Sequence, residues 1–158
     1  MLQRRSNAGP GRMTAMTTDD PYDLQRFVAA QDAGGTYQQA LAELQAGRKA
    51  SHWMWFVFPQ IAGLGYSPVS RTYAITSLAE ARAYLAHPVL GARLTECAGV
   101  LAGLRGRTAE QVFGEIDALK LCSSMTLFLH AAPAEPLFRQ VLDQYFGGMT
   151  DSATEQRI

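Results

Sequence analysis

Between Asp117 and Leu129 the chain carries Leu119, Leu121, Cys122, Met125, Leu127, Phe128 and Leu129, leaving almost no polar side to face water. A helix apolar along one stripe lies on a surface, but one apolar nearly all round has to be enclosed by other elements. This segment therefore predicts an all-α fold: a single compact multi-helix domain around a central buried helix, with Asp117 as its N-cap.

The flanking sequence supplies the helices to enclose it. Asp20-Pro21 reads as a cap followed by proline in the first turn. Leu24, Phe27, Val28 and Gln31 then share one face as far as Asp32, and Gly34-Gly35 ends the helix. Thr36 with Gln39 reads as a capping box for a helix over Tyr37–Ala46, with Gly47 as its C′ residue. Ser51 reads as the cap of a short helix reaching Phe58. A strand is the alternative there, but the run lacks alternating polarity. Residues 61–71, with Gly63, Gly65 and Pro68, read as a loop. Ser77 and Glu80 form a second capping box, His87-Pro88 separates two helices, and Leu90, Leu94, Cys97 and Leu101 line the second of them. Thr108–Phe113 is a short helix closed by Gly114. Pro136 opens the last long helix, which stops at Gly147-Gly148, and residues 151–158 add a final turn.

At 158 residues the chain forms one domain, large enough to bury roughly two thirds of its unfolded surface. Residues 1–18 hold Arg4, Arg5 and Arg12 without a periodic apolar face and read as a disordered leader, so residues 19–158 make the helical domain. The leader has no apolar core of a secretory signal, and no 18-residue apolar run offers a membrane span. The expected location is the cytoplasm. Fourteen basic residues balance fourteen acidic ones, which argues against a nucleic-acid partner. Cys97 and Cys122 match no zinc spacing and read as buried free thiols. Three scattered histidines argue against a metal site, and no cofactor is expected.

Two segments concentrate polar groups against apolar ones. His52-Trp53-Met54-Trp55-Phe56-Val57-Phe58-Pro59-Gln60 holds both tryptophans, just after Lys49. Asp117-x-x-Lys120 precedes Ser123, Ser124 and Thr126. Lys49 and Lys120 are the two lysines of the chain. Taken singly, each residue has an ordinary account: a solvated lysine, a core histidine, core tryptophans, an i,i+3 ion pair, and serines bonded back to their own helix. Taken together they read as the walls of one pocket. Lys49, His52, Trp53, Trp55, Gln60, Tyr73, Lys120 and Ser124 are its candidate ligand contacts, with both lysines facing one cavity beside a tryptophan. Such a pocket suits a small anionic or nucleotide-like ligand.

The motifs Trp53–Gln60, Gly63-Leu64-Gly65, Tyr73-Ala74-Ile75, His87-Pro88-Val89-Leu90-Gly91, Phe113-Gly114, Lys120-Leu121, Ser123–Phe128 and Tyr145-Phe146-x-Gly148 resemble a bacterial family, domain of unknown function 1810. The resemblance spans about Tyr22 to Thr154. It implies a compact, mostly helical domain of the mycobacterial hypothetical-protein type and no established activity. The label calpastatin, sometimes attached to this family, does not fit a core-forming chain. A shorter similarity, through Leu90-Gly91-Ala92-Arg93, an aromatic segment and a later lysine-bearing helix, is to the NADAR families of ADP-ribose chemistry. It implies an N-glycosidase acting on an ADP-ribose or nucleotide derivative. Asp117 and Glu80 are then the first carboxylates to test as catalytic groups. A non-enzymatic helical interaction module is the third reading.

Overall fold

The computed structural model describes residues 20–158; the proposed leader lies outside them. The described chain is helical: α1 (Gln25–Asp32), α2 (Thr36–Gln45), α3 (Met54–Val57), α4 (Pro68–Thr72), α5 (Leu78–Ala86), α6 (Leu90–Gly103), α7 (Ala109–Ala131), α8 (Pro136–Phe146) and α9 (Ser152–Glu155). Among the described residues the one extended pairing is an isolated parallel bridge between Ile61 and Ile75. No described helix is long and apolar enough to cross a membrane.

Helix α7 occupies the centre and packs against α5, α8 and α9, while α6 packs against α2, α5 and α8. Six consecutive α7 residues, Ser123 to Phe128, are buried. Enclosure is incomplete at the start of the helix, where Ile116 and Leu119 are about 70% exposed, so the all-round apolar pattern overstates burial there. Phe128 stacks on Tyr84 and Phe138, joining α5, α7 and α8.

Several sequence signals take a different form from the one expected. Asp117 does not cap α7. The chain kinks at Gly114 (φ 79°), and Asp117 lies inside the helix beyond it. The start of α7 is instead fixed by a reciprocal Thr108–Gln111 capping box. Thr36 and Gln39 form no box: the Thr36 hydroxyl bonds the Ala33 carbonyl, and the Gln39 amide reaches Glu43. Ser77 caps α5, but Glu80 turns back to Thr76 rather than to Ser77. Residues 61–71 are not wholly loop, since Ser67 caps α4 within them. Asp20 accepts from Leu24 and Gln25, so α1 begins at Gln25 rather than beside Pro21. His87 is the C-cap of α5, and its Nδ1 accepts from the Val89 and Leu90 amides at the start of α6.

The aromatic run does form a helix, α3, of four residues. The buried hydroxyls of α7 serve the chain end. Ser123 donates to Asp151, the Asp151 amide donates to Thr126, and Asp151 caps α9. These pairs satisfy groups that would otherwise cost free energy when buried.

Two outcomes check this packing. Leu121→Ala and Met125→Ala, both fully buried, should each cost roughly 2–5 kcal/mol in denaturant unfolding. Gly91→Ala should also destabilise, by about 1–3 kcal/mol or more, because its Cβ would stand 2.0 Å from the Leu85 carbonyl oxygen.

Candidate functional site

The site is built on a loop that one carboxylate holds in shape. Glu43 is 6% exposed in α2. One oxygen accepts the amides of Ala50 and Ser51 and the indole N–H of Trp53; the other accepts the Ser51 hydroxyl and the Gln39 amide. Burial by itself would raise its pKa, but these bonds favour the ionised form and hold the carboxyl at about 2. The loop from Gly47 to Trp53 is thereby wrapped round the end of α2. The Lys49 amide donates to Val112, which joins the loop to the start of α7.

That wrapping brings Lys49 to Asp117. Its ammonium lies 2.8 Å from one Asp117 oxygen, while Lys120 lies 3.5 Å from the other. Both lysines thus share one carboxylate. Each also stands over an indole, Lys49 over Trp53 at 5.1 Å and Lys120 over Trp55 at 4.9 Å, where the ring face attracts a cation. The two differ in commitment. Lys49 is only 8% exposed along its side chain and also donates to the Ser51 carbonyl. Lys120 is 23% exposed and keeps donor capacity to spare. Two ammoniums against one carboxylate leave the cluster with a net charge of +1.

The sequence-predicted contacts divide around Trp55. On one side a shallow groove of about 470 Å³ is lined by Lys49, His52, Trp55, Phe113 and Asp117, with the exposed carboxylate Glu115 also on its wall. On the other a smaller cavity of about 160 Å³ is lined by Trp55, Gln60, Arg71 and Tyr73 with their neighbours. Three candidates line neither: Lys120, which stands over Trp55 beside the groove rather than in its wall, so that the two lysines share a carboxylate but not a cavity, and Trp53 and Ser124. Trp53 is fully buried, its ring packed on Phe58 and Phe113, so it has no face to offer a ligand. Ser124 is likewise fully buried, and its hydroxyl has no partner. The pocket wall expected over residues 117–126 is therefore only the first turn of that stretch, because Ser123 and Thr126 turn towards Asp151 and Ser124 is enclosed in the core. Of the candidate carboxylates, Asp117 has both oxygens on ammoniums. Glu80 is 2% exposed with both oxygens engaged, one by Thr76 and one by Arg26 at 3.0 Å. Neither is free to transfer a proton or to face a developing cation. No group of three His, Cys, Asp or Glu side chains among the described residues is placed to hold a metal ion.

Three organising residues escaped the sequence reading. Glu43 sits at a helical position that reads as polar surface, Gln31 shares the apolar face of the first helix with no role assigned to it, and Arg26 reads as one more solvated arginine. Arg26 instead donates to the carbonyls of Tyr22, Asp23, Thr72 and Ala74 and to Glu80, which clamps the chain after α4 onto α1. Gln31 donates to the Phe56 carbonyl and to Tyr84, and accepts from Arg93. A buried position on an apolar face was the available signal for Gln31, which fell in register with Leu24, Phe27 and Val28. Nothing local marked Glu43 or Arg26.

The lysines should separate in a stability assay. Lys49→Met leaves the Ser51 carbonyl and half of Asp117 without a buried partner, and should cost about 1.5–3 kcal/mol. Lys120→Met removes a longer, partly exposed i,i+3 pair whose Asp117 keeps Lys49, and should cost about 0.5 kcal/mol or less. Equal costs would contradict the difference in burial. For Glu43, the folded-state pKa lies below the ordinary 4.5. Its stabilisation, on the order of 3 kcal/mol, is therefore present above that value and lost as pH falls from about 4.5 towards 2. The stability gap between the natural chain and Glu43→Gln should be widest near neutrality and shrink through that window in urea titrations.

Comparisons with known proteins place this geometry in a family. The family model described as a protein of unknown function (DUF1810) matches residues 21–158. No curated protein matches the chain. The crystal structure of the conserved hypothetical protein Rv1873 from Mycobacterium tuberculosis is similar, with 52% sequence identity and a TM-score of 0.84 over 87% of this chain and 96% of that one. With 138 of its residues matched by the model (158 − 21 + 1), and with the same helical fold in a relative of that identity, the chain belongs to the DUF1810 family of proteins of unknown function.

Proposed function

We propose that the domain binds a small anionic, nucleotide-like ligand in the groove beside Trp55, without itself transforming it. The observation that carries this reading is the shared carboxylate. Asp117 gathers Lys49 and Lys120 into a cluster of net charge +1, next to the half-buried Trp55 ring and the exposed His52. An ammonium is a compact donor suited to phosphate or carboxylate oxygens, and an indole face suits a planar base or sugar edge. Lys120 does not line the groove but stands beside it over Trp55 with donors to spare, so it contacts the ligand from the groove's edge, while Lys49 keeps Asp117 fixed and partly neutralised. The groove is shallow, and binding there rests on charge and stacking rather than enclosure. The exposed Ile116 and Leu119 are what an interaction module would use, but they do not account for the lysine cluster, and Asp117 and Glu80, the two carboxylates named for glycosidase chemistry, are both engaged.

Thermal denaturation with ADP, ADP-ribose and glucose 6-phosphate tests the reading. At a ligand concentration one hundred times Kd the stabilisation should be about 2.7 kcal/mol, and Lys120→Met should remove it while leaving the ligand-free Tm near that of the natural chain. Absence of a shift with all three compounds, or a shift unchanged in Lys120→Met, would overturn it.

A further inference from the structure

The cavity on the far side of Trp55 has properties that the lysine groove lacks. Its walls are residues 60–65 and 70–76. Two backbone bonds at the Ile61–Ile75 bridge tie the walls together, Ala62 donating to Ile75 and Ile75 to Gln60. The second wall is held from behind, where Arg26 donates to the Thr72 and Ala74 carbonyls. The first wall closes on the second at Gly65, where a Cβ would lie 2.7 Å from the Ser70 hydroxyl. Tyr73 is fixed against Phe27 and Phe56, at 5.8 and 5.3 Å between ring centroids. The cavity is thus held open by contacts that do not depend on an occupant, and such preorganisation lowers the cost of binding.

Its polar groups are also unspent. Ser70 is paired with Ser67 and Thr76 with Glu80. The Trp55 indole N–H, the Gln60 amide, the Arg71 guanidinium and the Tyr73 hydroxyl, all on the lining, have no hydrogen-bond partner among the described residues. The convergent groups are mostly donors, so the complementary ligand is rich in acceptors. The volume of about 160 Å³ is close to the roughly 150 Å³ that houses a benzene ring. A planar guanidinium pairs best with a planar, two-oxygen acceptor.

From this geometry we propose that the cavity binds a small aromatic or heteroaromatic carboxylate, its ring between Trp55 and Tyr73 and its carboxylate on Arg71, with Gln60 hydrogen-bonding the ring edge. The site shares Trp55 with the lysine groove but takes none of its other contacts from it and does not rest on ligand binding there.

The two indole N–H signals in a nitrogen–proton correlation spectrum read it directly, with Trp55→Phe assigning them. The probes are benzoate, benzamide, nicotinate and inorganic phosphate. Benzoate should shift the Trp55 signal saturably and leave the Trp53 signal in place, because that N–H is bound to Glu43. Benzamide, lacking the charge, should bind about tenfold more weakly, and phosphate should produce no saturable shift. Arg71→Met should lose benzoate binding. Arg71 is exposed, and an unmoved Trp53 signal in the variant reports that the fold is intact. Nicotinate, whose ring nitrogen can accept from the Gln60 amide, should bind more tightly than benzoate, and Gln60→Leu should remove that difference as a second variant on the opposite wall. Lys120→Met should leave benzoate binding unchanged, so failure here and failure of the lysine groove are distinguishable. A missing benzoate response, a response that survives Arg71→Met, a response lost in Lys120→Met, or phosphate binding as well as benzoate would each overturn the proposal.

Discussion

The carboxylate of Glu43 is the interaction on which the candidate site depends. Five donors from Gln39, Ala50, Ser51 and Trp53 converge on its two oxygens. Bonds to a charged acceptor contribute about 1.5–3 kcal/mol each when isolated, though bonds sharing one acceptor are not additive. What they impose is geometric. A loop of seven residues, Gly47 to Trp53, has few conformations that present two amides, a hydroxyl and an indole N–H to the same carboxylate. In this one, Trp53 turns into the core, Lys49 turns towards α7, and the chain leaves the loop as the short helix carrying Trp55.

The charge cluster follows from that arrangement. Lys49 is nearly buried, and an unpaired buried ammonium would be strongly disfavoured. The kink at Gly114 lets the long part of α7 begin where Asp117 meets both Lys49 and Lys120. The two tryptophans, adjacent but for Met54, therefore acquire opposite duties. Trp53 is structural, with its N–H bound and its ring packed on phenylalanines. Trp55 is left half-buried between two recesses, one cationic and shallow, the other smaller and lined by unspent donors.

The fold was largely legible in the sequence because its signals are local. Gly34, Gly47, Gly114 and Gly147 all take positive φ at helix ends, and the apolar period located α5, α6 and α8 within a residue or two. The central helix was legible from composition alone. Capping was less so, since Thr36 and Ser51 have the right chemistry yet find better acceptors in the Ala33 carbonyl and in Glu43. The meeting of the two lysines could be anticipated from their scarcity and their neighbours. That they meet on one carboxylate could not, because Asp117 pairs within its helix and across 68 positions of sequence at once (117 − 49). Arg26 and Glu80 were opaque for the same reason: their partners lie 46 to 54 residues away. Gly91 has a structural cause, since it lets α6 start against the Leu85 carbonyl, so the Leu90–Arg93 motif needs no ligand to account for it.

Native-state hydrogen exchange of the Glu43 loop tests the central claim most directly. If one buried carboxylate holds the loop and positions both lysines, the Ala50 and Ser51 amides and the Trp53 indole N–H should exchange only through global unfolding, as slowly as the core amides of Leu121 to Phe128. Exchange at the rate of an open surface loop, with α7 still protected, would show that the loop does not depend on Glu43 and would contradict the account of the site.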